Sequence, residues 1–184
     1  QKNGIINSIR ELIFGLEDGL VSTLGVVIGV AAGSGDRLVV LLSGLVLVMV
    51  EALSMAAGSF LSSKSHRQLL EMKIREEEHE IETKPDEERE ELRAMYRERG
   101  FNEDEIEIIV RRVTADKKLW LEEMVAKELR IGANDLKTPP MSAAVMGLAY
   151  IAGGIVPVVP FFFLPVTSAS PVAVVATIAV LFLV

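Results

Sequence analysis

Leu12 to Gly33, Leu38 to Leu61 and Met141 to Leu164 are three apolar runs, each long enough as a helix to cross the roughly 30 Å of hydrocarbon in a bilayer. In lipid every backbone N–H and C=O must find a partner inside the protein, so such runs fold as helices unless they alternate like barrel strands. None alternates. The fold class is therefore an all-α membrane protein, a transmembrane helical bundle. A fourth apolar stretch, Pro171 to Val184, reaches only about 21 Å as a helix, and the expectation is that the chain stops inside a fourth helix with a fifth one absent. The lack of cysteine excludes disulfides and thiolate metal sites.

Charge divides the chain into three parts. Residues 62–140 hold 16 of the 19 Lys and Arg and 21 of the 26 Asp and Glu, so they form a soluble insert between a first part, 1–61, with two spans and a last part, 141–184, with the third span and the incomplete fourth. Two spans separate the amino terminus from the insert and put both on one side. The distribution of Lys and Arg makes that side cytoplasmic. Within the insert the punctuation predicts three helices. The first continues from the second span to about Glu82 and stops before Pro85, the second runs from Pro85 to Arg99 with Gly100 after it, and the third starts at a capping box of Asn102 and Glu105 and ends near Gly132.

Acids inside the apolar runs are costly, about 2.5 to 3.5 kcal/mol each near the bilayer centre, and need a cavity, a partner or an ion path. Asp18 lies about 9 Å along the first span and Glu51 about 12 Å from the same surface along the second, so their depths match. Met55 is one turn from Glu51 on the same face. Two carboxylates with a thioether suit a borderline cation such as Fe²⁺ better than Mg²⁺ or Ca²⁺. Glu17 is about 100° round the helix from Asp18, which predicts that the two do not point at one ion. Small residues recur at Gly15, Gly19, Gly25, Gly29, Gly33, Gly44 and Gly58; they serve a tight helix interface, a dimer face or a narrow path, and spacing alone does not choose. Gly153-Gly154 followed by Pro157, Pro160 and Pro165 predicts a kinked or unwound third span.

In the insert, Glu77 and Glu80 are three apart on one helix, and Glu88 and Glu91 repeat the spacing on the next, so each pair shares a face. Glu122, Met124 and Glu128 follow Trp120 on the third, with Glu123 a further carboxylate. Carboxylates gathered from several helices bind divalent metals, while a plain solvated charge run is the alternative. Glu76-x-x-His79 has the spacing of a di-iron carboxylate motif, but that site needs the motif twice and His66 has Ser63 three residues before it. The net charge of −7 argues against nucleic acid as a partner.

"FGLEDGLVSTLGVV", "EALSMAAGSFLSSKS", "EEEHEIETKPDEEREEL", "WLEEMVAKEL" and "MSAAVMGLAYIAGGIVPVVPFFF" together resemble the vacuolar iron transporter family over nearly the whole chain. The resemblance implies a five-helix, dimeric transporter that moves Fe²⁺, or Mn²⁺, out of the cytosol in exchange for protons, with a helical metal-binding domain between helices two and three. It implies that Asp18, Glu51 and Met55 lie on the transport path. It also implies that Glu77, Glu80, Glu88, Glu91, Glu122, Met124 and Glu128 are cytoplasmic metal ligands. Val125 departs from the pattern, standing where some members carry a second methionine. The expectations are thus a metal ion/proton antiporter rather than an enzyme, a homodimer in a vacuolar or cell membrane, and no prosthetic group. The bound and carried ion would be Fe²⁺, Mn²⁺, Co²⁺ or Zn²⁺. A membrane-anchored iron buffer or sensor and a ferroxidase-like protein are the alternatives.

Overall fold

The computed structural model describes residues 2–128 and 138–183, with side chains from residue 9 onward. Eight helices occur among them and no strand: α1 (Lys2–Ser34), α2 (Arg37–Thr83), α3 (Pro85–Glu98), α4 (Glu103–Val113), α5 (Lys117–Lys127), α6 (Pro139–Val158), α7 (Pro160–Phe163) and α8 (Val166–Leu181). The protein is an all-α membrane protein. Three helical stretches, Ile9–Ser34, Arg37–Thr83 and Pro139–Val158, are long and apolar enough to cross a bilayer, and Val166–Leu181 is a shorter apolar helix. The chain separates into two compact units, one of Gln1–Lys64 with Lys137–Val184 and one of Ser65–Leu136.

In the membrane unit the turn between α1 and α2 is built from Gly35, at φ +62°, and Asp36. The Asp36 carboxylate accepts from the Leu38 N–H at 2.7 Å and the Val39 N–H at 3.3 Å, which closes the start of α2. Glycine lets α1 and α6 touch backbone to backbone. A Cβ on Gly19 would strike the Tyr150 carbonyl and one on Gly153 the Leu16 carbonyl, and Gly15 lies against Met146. Gly44 packs on Val27 and Val158, whereas Gly25, Gly29, Gly33 and Gly58 face open space. The small residues therefore divide into an internal interface and an uncovered set. The core beneath them is Val27, Ala31, Val40, Val158, Phe161, Ala169 and Ala173. Leu42, Val46, Met49, Val50 and Leu53 are exposed on α2, as suits a surface solvated by lipid.

The proline-rich third span breaks after Val158, as the prolines predict. Pro157 sits inside α6 and leaves the Gly153 carbonyl without its helical donor, Pro160 opens the single turn of α7, and Leu164 is extended (φ −117°, ψ 151°) ahead of Pro165. The last apolar helix begins at Val166, five residues before the stretch read as apolar from sequence. Pro171 lies within it, and Ser170 Oγ bonds the Val166 carbonyl at 2.9 Å.

The second unit closes on Ile81, Leu92, Tyr96, Ile106, Val110, Val113, Trp120 and Met124. Pro85 opens α3, and Gly100 at φ +88° follows its end. The Asn102–Glu105 capping box opens α4, with Glu105 N–H on Asn102 Oδ1 at 3.0 Å and Asn102 N–H on Glu105 Oε2 at 2.9 Å. The third insert helix expected from sequence is two helices. Thr114 ends α4, and Asp116 starts α5 by accepting from the N–H groups of Lys118 (2.9 Å) and Leu119 (3.3 Å), an N-cap stronger than the helical periodicity that crosses it. Its expected end near Gly132 lies outside the described residues. Arg93–Glu107 and Arg97–Glu103 pairs join α3 to α4, and Lys117 joins α5 to Glu78 and Glu82 on α2.

Candidate metal centre

Helix periodicity puts carboxylates in this core. Glu77 is one turn from Ile81 on α2 and Glu88 one turn from Leu92 on α3, so the turn that buries each apolar neighbour carries the acid inward, while Glu128, one turn from Met124 at the end of α5, is exposed. Glu77 and Glu88 are 3% and 4% exposed, and each has a carboxylate oxygen with no hydrogen-bond partner. Oxygens of Glu77, Glu88 and Glu128 all lie within 4.8 Å of one another. Among the described residues none of the ion pairs reaches these three, although pairs surround them on every helix of the unit.

Three acids so close cannot all ionise cheaply. Burial first, then the charges of Glu128 and Glu88, push the Glu77 carboxyl up to about 8 from an ordinary 4.5. Burial also raises Glu88 and Glu128, with Glu91 and Glu80 adding repulsion. A buried carboxylate costs free energy unless a positive charge meets it, and unsatisfied oxygens in a buried polar group call for an occupant. Oxygen donors on three helices, with two more acids near, form the kind of shell that receives a divalent cation.

The remaining insert residues fall elsewhere. Glu80 and Glu91 act on the trio through their charge, and Glu80 also pairs with Lys84 at 3.9 Å. Glu122 is exposed and pairs with Lys118 at 3.8 Å, and the close group does not include it. Met124 is fully buried in the apolar core, one turn from Glu128 on the same face of α5. Glu123 is occupied by Lys127 and by the Tyr96 hydroxyl. Glu76 and His79, the lone half-motif, are exposed.

In the membrane unit Asp18, Glu51 and Met55 are each half-buried. The buried Tyr150 hydroxyl lies within electrostatic reach of both Asp18 and Glu51. It shares a hydrogen bond of 2.7 Å with Ser22, whose hydroxyl donates to the Asp18 carbonyl at 2.5 Å. Phe14, Glu17, Asp18 and Val21 line an open cleft of about 210 Å³. Glu17 and Asp18 thus both line this open cleft, Glu17 exposed and Asp18 half-buried.

A family model described as the VIT family matches residues 9–184. The chain belongs to the VIT family. It is 32% identical over 174 residues to "Vacuolar iron transporter 2" of Oryza sativa subsp. japonica, a match covering 94% of this chain and 71% of that protein. Over 165 residues it is 30% identical to "Vacuolar iron transporter 1" of Eucalyptus grandis, covering 90% and 66%, and over 176 residues 28% identical to "Vacuolar iron transporter 1" of Arabidopsis thaliana, covering 95% and 70%. It therefore spans roughly two thirds to seven tenths of these relatives' lengths.

Sequence reasoning did not find two features of this VIT-family chain. Tyr150 lies in an apolar run where its hydroxyl has no visible partner, and Ser22 is 128 positions away. The Tyr96–Glu123–Lys127 cluster joins α3 to α5 across an interval that spacing does not bridge. The i, i+4 relation of Glu123 to Lys127 was the available signal.

Proposed function

We propose that this chain carries Fe²⁺, or a similar divalent ion such as Mn²⁺, across the membrane in exchange for protons, and that its insert binds the ion on the cytoplasmic side. The observation that carries the reading is the trio Glu77, Glu88 and Glu128, the first two buried and the third exposed at the end of α5, with oxygens within 4.8 Å of one another and, among the described residues, reached by none of the ion pairs, in a chain whose relatives are named vacuolar iron transporters. Glu80 and Glu91 enlarge the negative field, Met124 packs in the core one turn from Glu128, and Glu122 lies on the exposed side of α5 paired with Lys118. The carried ion would pass Asp18, Glu51 and Met55, with Glu17 at the same cleft. A carboxylate that holds a metal ion cannot hold a proton, so the same acids account for proton exchange. A homodimer and a vacuolar membrane, or a cell membrane in a prokaryote, complete the reading, with the insert facing the cytosol.

The test is Fe²⁺ flux in proteoliposomes with and without a pH gradient, recorded together with oxygen. Exchange predicts uptake that an opposing proton gradient accelerates and no oxygen consumption. A buffer or sensor would bind without flux. A ferroxidase would consume oxygen, against which stands the single Glu-x-x-His on an exposed surface.

A further inference from the structure

We propose that Tyr96, Glu123 and Lys127 form a positioning device for the cation site, fastening the last turn of α5 to α3 and so setting Glu128 opposite Glu77 and Glu88. The inference rests on reading that trio as a divalent-cation site. Glu88, Leu92 and Tyr96 recur every four residues along one face of α3, and Trp120, Met124 and Glu128 do the same on α5, so each helix carries a ligand and a core contact on one stripe. Glu128 closes α5, its N–H on the Met124 carbonyl at 2.8 Å, immediately after Lys127.

As these acids ionise, like charge works to drive that turn away, since oxygens of Glu77, Glu88 and Glu128 lie within 4.8 Å of one another and, among the described residues, none of the ion pairs reaches them. The opposing force must come from a contact beside it. The Tyr96 hydroxyl donates to Glu123 Oε1, Lys127 Nζ donates to the Tyr96 oxygen and pairs with Glu123, and the same ammonium lies 3.7 Å from the centre of the Tyr96 ring. Phe101 seats that ring edge-on with centroids 5.3 Å apart. The Lys127 and Glu123 side chains are only 18% and 22% exposed, so solvent screens this pair less than the surface pairs around it. Glu123 is spent in the clamp, and it stands about 140° round the helix from Glu128, so the clamp and the trio occupy different faces of the end of α5.

The experiment is a double-mutant cycle on Mn²⁺ affinity, measured calorimetrically on the whole chain in detergent, with Trp120 fluorescence as the check of folding. Tyr96→Phe removes the hydroxyl and keeps the ring. Groups that orient a metal ligand are worth about 10- to 100-fold in affinity, so Tyr96→Phe should weaken Mn²⁺ at least tenfold in the otherwise native chain. In a Glu128→Gln background it should cost less than about twofold, because the group being positioned is gone. Equal losses in both backgrounds, or no loss in the native one, overturn the proposal. Should Tyr96→Phe fail to unfold cooperatively, Lys127→Gln runs the same cycle with the same two criteria. A native chain that takes up no Mn²⁺, or keeps its affinity in Glu77→Gln, overturns the site itself and this inference with it.

Discussion

Replacing Glu77 by Gln should make the insert more stable at alkaline pH while weakening its hold on metal. The side chain is 3% exposed and its carboxyl is pushed up to about 8, chiefly by burial and then by Glu128 and Glu88. The unfolded chain loses this proton near 4.5 and the folded chain keeps it to about 8, so between those values the folded state binds more protons. Stability is then full at or below pH 4.5 and falls as pH rises through the window, at about 1.4 kcal/mol per unit, with a ceiling of about 5 kcal/mol by pH 8. The amide of Gln does not ionise, so the variant loses this slope. Its stability relative to the native chain should grow by several kcal/mol between pH 5 and 8. The assay is built in: Trp120 is the sole tryptophan and is buried in the insert core, so its fluorescence during urea unfolding of the whole chain in detergent reports this unit. Mn²⁺ at 100 times its Kd should restore about 2.7 kcal/mol to the native chain at pH 8 and less to the variant. Parallel stability–pH curves for the two proteins would refute the burial and repulsion argument.

Three further outcomes follow from the packing. Glu122→Gln should leave Mn²⁺ affinity within about twofold by calorimetry, and Glu88→Gln should reduce it tenfold or more, because Glu122 pairs with Lys118 outside the trio. Met124→Ala should cost the insert about 2–5 kcal/mol in Trp120-monitored unfolding, while Met124→Leu should cost less than about 1.5 and leave Mn²⁺ affinity unchanged; a large affinity loss in the leucine variant would show that the thioether ligates. Gly19→Ala forces a methyl against the Tyr150 carbonyl and should destabilise the membrane unit by about 1–3 kcal/mol, read as a lower melting temperature in detergent.

Sequence carried much of this because lipid and helix periodicity leave few choices. The apolar runs, the capping box at Asn102 and the prolines after Gly154 each specify local structure by one strong physical effect, and each appears where the pattern places it. The division of the third insert helix was less visible, since Asp116 competes with an apolar period that runs through it. Within the candidate site, the spacing of Glu77 with Glu80 and of Glu88 with Glu91 named five positions in common with the structure's field of charge once Glu128 is added, but could not rank them. Burial ranks Glu77 and Glu88, and its signature is the core residue one turn away, Ile81 for Glu77 and Leu92 for Glu88, whereas Glu128, one turn from Met124, is exposed and is singled out by its closeness to the other two. Glu122 has no such neighbour and pairs with solvent-exposed Lys118 instead. Tyr96, Lys127 and Tyr150 stayed hidden because their roles are contacts between helices, which a linear spacing does not encode.

In the proposed exchange, acids held in the membrane helices carry the cation and its exchanged protons. Fe²⁺ uptake and internal pH recorded together, in liposomes containing the native chain, Asp18→Ala or Glu51→Ala, test it most directly. The account predicts coupled Fe²⁺ and proton movement in the native chain and loss of both in either variant; near-native flux in the two variants would contradict it.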